Sequence, residues 1–425
     1  MVIRRSSILV AVAAAAMLAL GAAVVPGLVV PAFAVNCSAP AWAEGTSYRA
    51  GDQVTYQGSG YTATTTHTAY PGTGWDPAST PALWTHDGTC DGGPDPDPTD
   101  DPTPTPTPTE PGPDPDPGTP VAANGQLHVC GTGLCNEDGT RIQLRGMSTH
   151  GTQWFSQCVN DASLDTLAGD WNADVVRIST YVQEGGYETD PERFTDLVHR
   201  YIDMLTARGM YAIVDWHMLD PGDPNVNLEH ARTFFTAVAE RHSGKNNVIY
   251  EVANEPHGVS WQTIKSYHEQ IVPVIRAHDP DAVVLLGTRA WSSLGESEGS
   301  DESEVVNDPV DASNVMYTFH FYAASHGQEY LNTLSRAADR IPMFITEFGT
   351  QNSAGEGAND FAMAQRYLDL AATKKISWVN WNFSDDHRSG AVLTPGSCAA
   401  GSYGTGSLKE AGLWIRDRIR TPDDF

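Results

Sequence analysis

Two glutamates, Glu255 and Glu347, each stand where a short apolar run ends. The runs cover residues 248–256 and 343–349, and their β-branched and aromatic residues predict buried strands. A carboxylate at the end of a core strand is costly to desolvate, so the fold must gain something from it. One such residue could be a structural ion, but two on separate strands predict paired carboxylates that face one cleft. Two carboxylates held in different protonation states are what hydrolysis of a glycosidic bond requires.

Strands alternate with amphipathic stretches from residue 122 to residue 425, and this is the part of the chain that must position the glutamates. The predicted strands end near residues 146, 178, 217, 255, 288, 320, 347 and 381. The clearest helical patterns cover residues 194–208, 228–241, 264–278 and 361–374. Eight strand–helix repeats predict an α/β fold of the (β/α)8 TIM barrel type, with a doubly wound sheet as the alternative. The barrel is favoured because nearly every strand ends in a polar or aromatic residue, as a catalytic rim would require.

Residues 1–34 have the features of a secretory signal peptide. Two arginines precede a long apolar stretch, and Ala32-Phe33-Ala34 is a small-x-small cleavage site. A membrane anchor is the alternative, but Pro26 and Pro31 interrupt the stretch. We therefore expect cleavage after Ala34, no membrane segment in the mature chain and an extracellular location.

The charge of the chain excludes two classes of partner. Asp and Glu outnumber Lys and Arg by 53 to 25, which gives a formal net charge of −28. Such a surface repels nucleic acid and anionic lipid, so we expect neither as a partner. A neutral polymer remains a possible partner.

Six cysteines in a secreted chain predict three disulfides, although six cysteines allow fifteen pairings. Their positions favour Cys37–Cys90 around a compact segment, Cys130–Cys135 across a tight turn, and Cys158–Cys398 between the start and the end of the large domain. A zinc site is the alternative, but the cysteines lack the paired short spacings of such sites.

Residues 36–90 predict a small all-β unit. Residues 52–56 and 61–64 alternate as short strands, with Gly58-Ser59-Gly60 as the expected turn between them. The segment carries more aromatic side chains than so small a core can hide, although Trp42, Tyr56 and Trp84 are expected to form that core. Residues 91–121 are rich in Pro, Thr and Asp and predict an extended linker.

The small unit resembles the carbohydrate-binding modules of families 5 and 12. The matching residues are Ala41-Trp42, the stretch 48–54, Gly60-Tyr61, the stretch 67–69, Gly74-Trp75 and the stretch 81–84. Adjacent tryptophans that some of these modules carry are replaced here by Thr64-Thr65-Thr66. Tyr70 and Trp75 are the candidate binding rings, and the resemblance leaves open whether the module binds cellulose or chitin.

The large domain resembles glycoside hydrolase family 5, and within it the bacterial endo-β-1,4-glucanases. The matching residues are the stretches 144–154, 177–181 and 346–349, Asp215-Trp216-His217, Asn254-Glu255-Pro256, His320-Phe321-Tyr322 and Trp381. Asn-Glu-Pro alone is a weak signal, whereas these motifs in this order are a specific one.

The resemblance implies a retaining mechanism, with Glu255 as general acid/base and Glu347 as nucleophile. Such carboxyl groups lie about 5–5.5 Å apart. Arg177 and Tyr322 would keep Glu347 ionised, and Asn254 would bind the 2-hydroxyl of the sugar at the point of cleavage.

The same resemblance implies supporting roles for other residues at the rim of the predicted barrel. The polar floor of the cleft would be formed by His150, His217 and His320. The sugar-stacking walls would be Trp154, Tyr181 and Trp381, with Trp291 as a weaker candidate. Taken singly, each of these residues could equally be structural, and the site is indicated by their convergence at strand ends. Some relatives place a lysine after the strand-eight tryptophan, but residues 385–388 here are Asp-Asp-His-Arg.

The expected function is therefore a secreted, monomeric endo-β-1,4-glucanase that hydrolyses internal bonds of cellulose. The same chemistry on mannan or another β-glycan is an alternative, because the carboxylates do not read the epimer of the sugar. A non-catalytic polysaccharide-binding barrel is a third possibility, which both glutamates together with Asn254 and Tyr322 disfavour. We expect no cofactor and no metal, since the acidic and histidine residues between 215 and 223 lack a clear ligand spacing.

Overall fold

The computed structural model of the chain describes residues 39–43, 46–65, 67–69, 76–78, 80, 83–90 and 118–421. The chain divides into two compact units, Met1–Thr107 and Pro108–Phe425. Several predictions lie outside the described residues, namely those for the leader 1–34, the linker residues 91–117, Cys37, Tyr70 and Trp75. Within the described part, no helix combines the length and the apolarity needed to cross a bilayer.

The first unit consists of short antiparallel strands. They are β1 (Ser47–Tyr48), β2 (Gln53–Tyr56), β3 (Ser59–Ala63), β4 (His67–Thr68) and β5 (Trp84–Thr89). Strand β1 pairs with β4, and β3 lies between β2 and β5. Tyr48, Val54, Tyr61 and Trp84 are buried at the centre. The prediction of an all-β unit is confirmed.

The turn between β2 and β3 differs from the prediction. Tyr56 pairs with Ser59, so the loop is the two-residue turn Gln57-Gly58, and Ser59 and Gly60 already belong to β3. Both turn residues have positive φ, 46° at Gln57 and 75° at Gly58. Two such residues twist the chain in the sense that a tight hairpin needs.

The second unit begins with a short helix and a three-stranded sheet. Helix α1 (Pro120–Asn124) is capped by the Thr119 side chain, so regular structure starts before the predicted boundary at residue 122. Antiparallel strands β6 (His128–Cys130), β7 (Gly133–Cys135) and β8 (Arg141–Ile142) follow. The Cys130–Cys135 disulfide joins β6 to β7.

Eight parallel strands then close into a barrel. They are β9 (Arg145–Ser148), β10 (Val175–Tyr181), β11 (Tyr211–His217), β12 (Val248–Glu251), β13 (Val284–Leu286), β14 (Val315–Tyr322), β15 (Met343–Gly349) and β16 (Trp378–Trp381). Neighbours in sequence are neighbours in the sheet, and β16 pairs with β9 to close it. The predicted (β/α)8 barrel is confirmed.

Helices follow the barrel strands. They are α2 (Asp161–Asp165), α3 (Pro191–Thr206), α4 (Leu228–His242), α5 (Trp261–Arg276), α6 (Arg289–Ser292), α7 (Ser303–Asn307), α8 (Gln328–Ala338), α9 (Phe361–Lys374) and α10 (Glu410–Ile419). Helices α3 and α5 begin three residues before their predicted starts. In each case a capping side chain, Asp190 or Ser260, accepts a hydrogen bond from the first turn.

Every second residue of a barrel strand faces the interior, and the interior changes character along the strand. On β11, Ile213 packs in an apolar lower layer, whereas Asp215 and His217 stand above it. On β10, Val175 in the lower layer is followed by Arg177. The lower layer also takes up Leu127 and Leu134, from the chain around β6 and β7. On these two strands the interior-facing polar residues therefore begin directly after the apolar lower layer.

The loops after the first and last barrel strands are joined by the Cys158–Cys398 disulfide. It closes a separation of 240 residues with a Cα–Cα distance of 4.8 Å. In the chain-entropy model a crosslink over so long a loop stabilises the native state by roughly 5 kcal/mol. This bond therefore links the two loops next to the β9–β16 pair, where the barrel closes.

Candidate active site

A β-bulge turns Glu347 into the barrel. Thr318 on β14 lies opposite Phe344 on β15, but His320 lies opposite Glu347, so β15 has one extra residue in this interval. Simple alternation from Phe344 would place Glu347 on the outer face, against the helices. The bulge reverses this and leaves Phe348 in the outer apolar cluster.

Glu255 does not end a strand, which corrects the expectation from the sequence. Strand β12 ends at Glu251, and Glu255 lies four residues further on in the following loop. Backbone hydrogen bonds fix this loop, because the Asn254 N–H donates to the Trp216 carbonyl at 3.1 Å. The Asn254 carbonyl in turn accepts a hydrogen bond from Ser292 Oγ at 2.6 Å.

Arg177 is fully buried beneath the two glutamates. Its Nε donates to Glu251 at 2.6 Å, its Nη1 donates to Glu347 at 3.0 Å, and its Nη2 lies 3.0 Å from Asp215. Nη2 also donates to Asn254 Oδ1 at 2.7 Å. One guanidinium thus binds three carboxylates and an amide, and removing it would leave those carboxylates buried without their counter-charge.

Burial favours the neutral form of every acid in this layer. At Glu251 burial is outweighed by the charge of Arg177, which lowers the pKa of Glu251 to about 2. At Asp215 burial prevails, together with the charges of Glu251 and Glu347, so the pKa of Asp215 is raised. Burial and the charge of Arg177 therefore shift the pKa values of these two neighbouring carboxyl groups in opposite directions.

Each oxygen of the Glu347 carboxylate has its own donor. The Tyr322 hydroxyl donates to Oε1 at 2.5 Å, and Arg177 Nη1 donates to Oε2 at 3.0 Å. Burial raises the pKa of Tyr322, so its hydroxyl stays protonated and can donate. Two donors, one of them cationic, therefore bind the carboxylate group of Glu347 and fix its orientation.

Glu255 has a different environment from Glu347. Its Oε1 lies 2.9 Å from His320 Nδ1, and its side chain is 13% exposed. Burial opposes a charge on His320, but the nearby carboxylates of Glu251 and Glu255 raise the pKa of His320 to about 9. At neutral pH the imidazole is therefore protonated and donates a hydrogen bond towards Glu255.

We expect this histidine to make stability depend on alkaline pH. A raised folded-state pKa stabilises the native state fully below the unfolded value of about 6.5, and this contribution is lost as pH rises through about 9. The free energy of unfolding should fall by up to about 3 kcal/mol over that interval. Urea titrations at several pH values should show a shallower decline for His320→Gln than for the native protein, and parallel curves would contradict the assignment.

His150 and His217 are neutral, in contrast to His320. Burial lowers the pKa of each to about 3. His217 Nδ1 lies 2.6 Å from Asp215, and its ring stacks on Trp381 at 5.2 Å. Trp154 is 41% exposed and packs against Tyr181 with 4.7 Å between ring centres. These rings form an aromatic wall beside the carboxylates.

The candidate residues surround a cleft with two adjoining parts. The first part has a volume of about 280 Å³, and among the residues that line it are Glu255, Glu347, His150, Trp154, Tyr181, His217, Tyr322 and Trp381. The second part has a volume of about 490 Å³, and it is lined by Glu255, Trp291, Ser297, His320, Tyr322, His326, Tyr330 and Ser353. Arg177 and Asn254 lie buried beneath the floor. The structure thus brings together all the residues predicted for the barrel site.

Two clusters within residues 118–421 have donor atoms close enough to share a metal ion. One consists of Asp385 with Cys158 and Cys398, whose sulfurs are already joined in a disulfide. The other is Glu255, His320 and Glu347. Its groups already hydrogen-bond to one another and to Thr346, Tyr322 and Arg177.

Sequence reasoning missed Glu251, Asp215 as a site residue, and Arg388. Glu251 follows the inward-facing Ile249 by two positions, so the period of the strand could have revealed it. Glu184, Asp386 and Arg388 line the cleft from loops. No strand or helix pattern marks such loop residues in advance.

The geometry agrees with comparisons to known proteins. Residues 135–387, more than half of the chain, match the family described as cellulase, glycosyl hydrolase family 5. The chain belongs to glycosyl hydrolase family 5. Residues 41–85 match carbohydrate-binding module family 5/12, so this family 5 chain also carries such a module.

Curated relatives of this family 5 chain include two bacterial proteins. Endoglucanase E-5 of Thermobifida fusca is 59% identical over 305 residues, which is 72% of this chain and 66% of the relative. Endoglucanase MaCel5A of Microbulbifer sp. is 58% identical over 305 residues, which is 71% of this chain and 59% of the relative. This chain therefore spans less than two thirds of the length of these relatives.

Solved structures similar to this chain include a bacterial catalytic domain. The catalytic domain of Thermobifida fusca endoglucanase Cel5A matches with 59% identity and a TM-score of 0.71, and the match covers 72% of this chain and 100% of that one. A glutamate-to-glutamine variant of that domain, in complex with cellotetraose, matches with the same identity and TM-score.

Proposed function

We propose that the chain is an extracellular endo-β-1,4-glucanase that hydrolyses cellulose with retention of configuration at the anomeric carbon. The observation that carries this proposal is the separation of the two glutamates. One oxygen of Glu255 and one oxygen of Glu347 lie within 4.8 Å of each other. Retaining enzymes place these groups about 5–5.5 Å apart, whereas inverting enzymes leave roughly 6.5–9.5 Å for a water molecule.

Glu347 is the nucleophile in this proposal. Its ionised form is favoured by the Tyr322 hydroxyl and the Arg177 guanidinium, and its position is fixed by the bulge in β15. Attack on the anomeric carbon forms a glycosyl–enzyme ester and breaks the bond to the leaving oxygen. The same two donors then stabilise the carboxylate when water hydrolyses the ester.

Glu255 is the general acid/base. It protonates the leaving oxygen in the first step and removes a proton from water in the second. The ionised carboxylate that exists between the two steps accepts a hydrogen bond from the protonated His320. When Glu255 loses its proton, the charge of His320 offsets the new negative charge.

The remaining rim residues would hold the substrate. Trp154, Tyr181 and Trp381 offer aromatic faces on which the apolar faces of glucosyl units can stack. Asn254, already oriented by Arg177, would bind the 2-hydroxyl of the unit under attack. Glucose in a β-1,4 chain presents alternating hydroxyl edges and flat faces, which suits a cleft with both kinds of wall.

A comparison of substrates tests the proposal directly. Purified protein should release reducing ends from carboxymethylcellulose with a rapid fall in viscosity, since endo-acting enzymes cut internal bonds. Mannan and chitosan, assayed at equal concentration, should give much lower rates. Faster release from mannan would indicate that the substrate is another β-glycan. No release from any of the three polymers would indicate a non-catalytic polysaccharide-binding protein.

The N-terminal regions serve export and surface binding in this proposal. Residues 1–34 direct secretion, residues 36–90 bind an insoluble polysaccharide such as cellulose or chitin, and residues 91–121 link this module to the catalytic domain of a monomeric enzyme. The match to module family 5/12 supports the binding role. A tethered module raises the effective concentration of the enzyme at a surface without altering the chemical step.

Deleting residues 36–117 should therefore separate binding from catalysis. This deletion keeps Thr119 and Pro120, which cap and begin α1. Activity on soluble carboxymethylcellulose should stay within about twofold, a small change on the scale of an activation barrier. Pull-down on crystalline cellulose or chitin should fall clearly. Equal pull-down of both proteins on both solids would contradict a binding role for the module.

A further inference from the structure

The two parts of the cleft can be assigned to the two ends of a substrate. Glu255 and Tyr322 line both parts, Glu347 lines the first alone and Trp291 lines the second alone. Under the proposed function, Glu347 attacks the anomeric carbon, which belongs to the sugar retained on the enzyme. The first part therefore holds the glycone, and the second part holds the leaving chain.

Arg388 is the one lysine or arginine among the described residues that line either part. Its side chain is 40% exposed, and its Nε donates to Asp386 Oδ2 at 2.8 Å. Its Nη1 and Nη2 make no hydrogen bond with the described part of the chain. Two parallel donors at the edge of the guanidinium are thus free to bind a ligand in the glycone part.

The backbone of the loop that carries Arg388 is fixed by hydrogen bonds. Lys409 Nζ donates to the backbone carbonyls of both Asp386 and Arg388. Asp386 is 6% exposed and accepts hydrogen bonds from the backbone and the side chain of Arg388. The backbone and one edge of the guanidinium are therefore fixed before a ligand arrives, which lowers the entropy cost of binding.

We propose that Arg388 is a specificity-determining residue that donates from Nη1 and Nη2 to adjacent hydroxyls of a glucosyl unit on the glycone side, beyond the unit that Glu347 attacks. This inference rests on the proposed function. A planar fork of two donors matches two neighbouring oxygens better than an ammonium does. Trp154, which lines the same part, offers the face on which such a unit would stack.

The surrounding charges favour a neutral sugar over an anionic one. Asp386 already pairs with Arg388, and Glu184, Glu255 and Glu347 line the same part of the cleft. A carboxylate on the substrate would meet this excess of negative charge. The ligand of Arg388 is therefore an unsubstituted glucosyl unit.

The test uses cellopentaose carrying ¹⁸O at its reducing end, so that mass spectrometry reports which bond is cut. Arg388→Ala should lower kcat/KM about tenfold and shift cleavage towards bonds that leave fewer glucosyl units in the glycone part. Arg388→Lys keeps the charge but loses the fork and should fall between native and alanine. Arg340→Ala is the matched control, because Arg340 is exposed just before β15, at the opposite end of the barrel.

Native bond preference and rate in Arg388→Ala would overturn the inference. A lower kcat with an unchanged cleavage pattern would overturn it as well, since that result indicates a structural effect. Thermal unfolding monitored by circular dichroism identifies any variant that has lost its fold, and Arg388→Lys then provides the decisive comparison. Failure of the native enzyme to cleave cellopentaose would refute the proposed function itself, which distinguishes the two failures.

Discussion

Replacing Glu347 by glutamine should lower the rate of cellulose hydrolysis by roughly 10⁴-fold or more, which corresponds to about 5 kcal/mol or more of activation barrier. The amide is nearly the same size as the carboxylate, and its one oxygen can still accept a hydrogen bond from Tyr322 or from Arg177. It cannot form the covalent ester, because a neutral amide is a poor nucleophile. Binding of cellotetraose, measured by calorimetry, should remain close to native.

A fluoro-sugar that traps the ester identifies the nucleophile independently. After incubation with a 2-fluoro-cellobioside, peptide mass spectrometry should place the label on Glu347. Glu356→Gln provides a matched control, because Glu356 is exposed in the loop after β15 and does not line the cleft. Label on Glu255, or full activity of Glu347→Gln, would refute the assigned roles.

The barrel could be predicted because its determinants are local. Strand–helix alternation and helical periodicity are readable in short windows, and the barrel follows from their number and order. The polar residues on β10, β11 and β14 could also be predicted, since Arg177, His217 and His320 interrupt or end apolar runs. The site residues that lie on the strands themselves could therefore be predicted from the sequence.

The exact placement of the two glutamates was not readable. Residues 343–349 look like a uniform apolar strand, and the bulge that turns Glu347 inward arises from pairing with β14. Residues 248–256 look like one strand, but pairing with β13 extends only to Glu251. Both features depend on neighbouring strands that are distant in sequence, so no local pattern encodes them.

The loop residues of the cleft also could not be predicted from the sequence. Asp386 and Arg388 enter the cleft because Lys409, more than twenty positions later, binds the carbonyls of their loop. The turn at Gln57-Gly58 was misplaced for a related reason, since a non-glycine residue occupies a left-handed conformation there. In both cases tertiary or turn geometry overrides the residue preferences on which a prediction relies.

Replacing Glu255 by alanine should lower hydrolysis of cellulose by about 10³-fold, within the range that general acid catalysis contributes. Hydrolysis of an activated aryl cellobioside should have a much less impaired first step, because its leaving group departs without a proton. The difference between the two substrates is the expected signature of a missing acid. A variant that is merely misfolded would lose both activities equally.

The space left by the Glu255 side chain allows a further measurement on the same variant. Small anions such as azide can enter the site and attack the glycosyl–enzyme without general base assistance. Azide should therefore raise turnover of the aryl cellobioside and give a β-cellobiosyl azide, with the configuration of the substrate retained. Because Glu347 would have inverted the anomeric centre once and azide once more, NMR detection of an α-azide would show that the two carboxylates do not form a retaining pair.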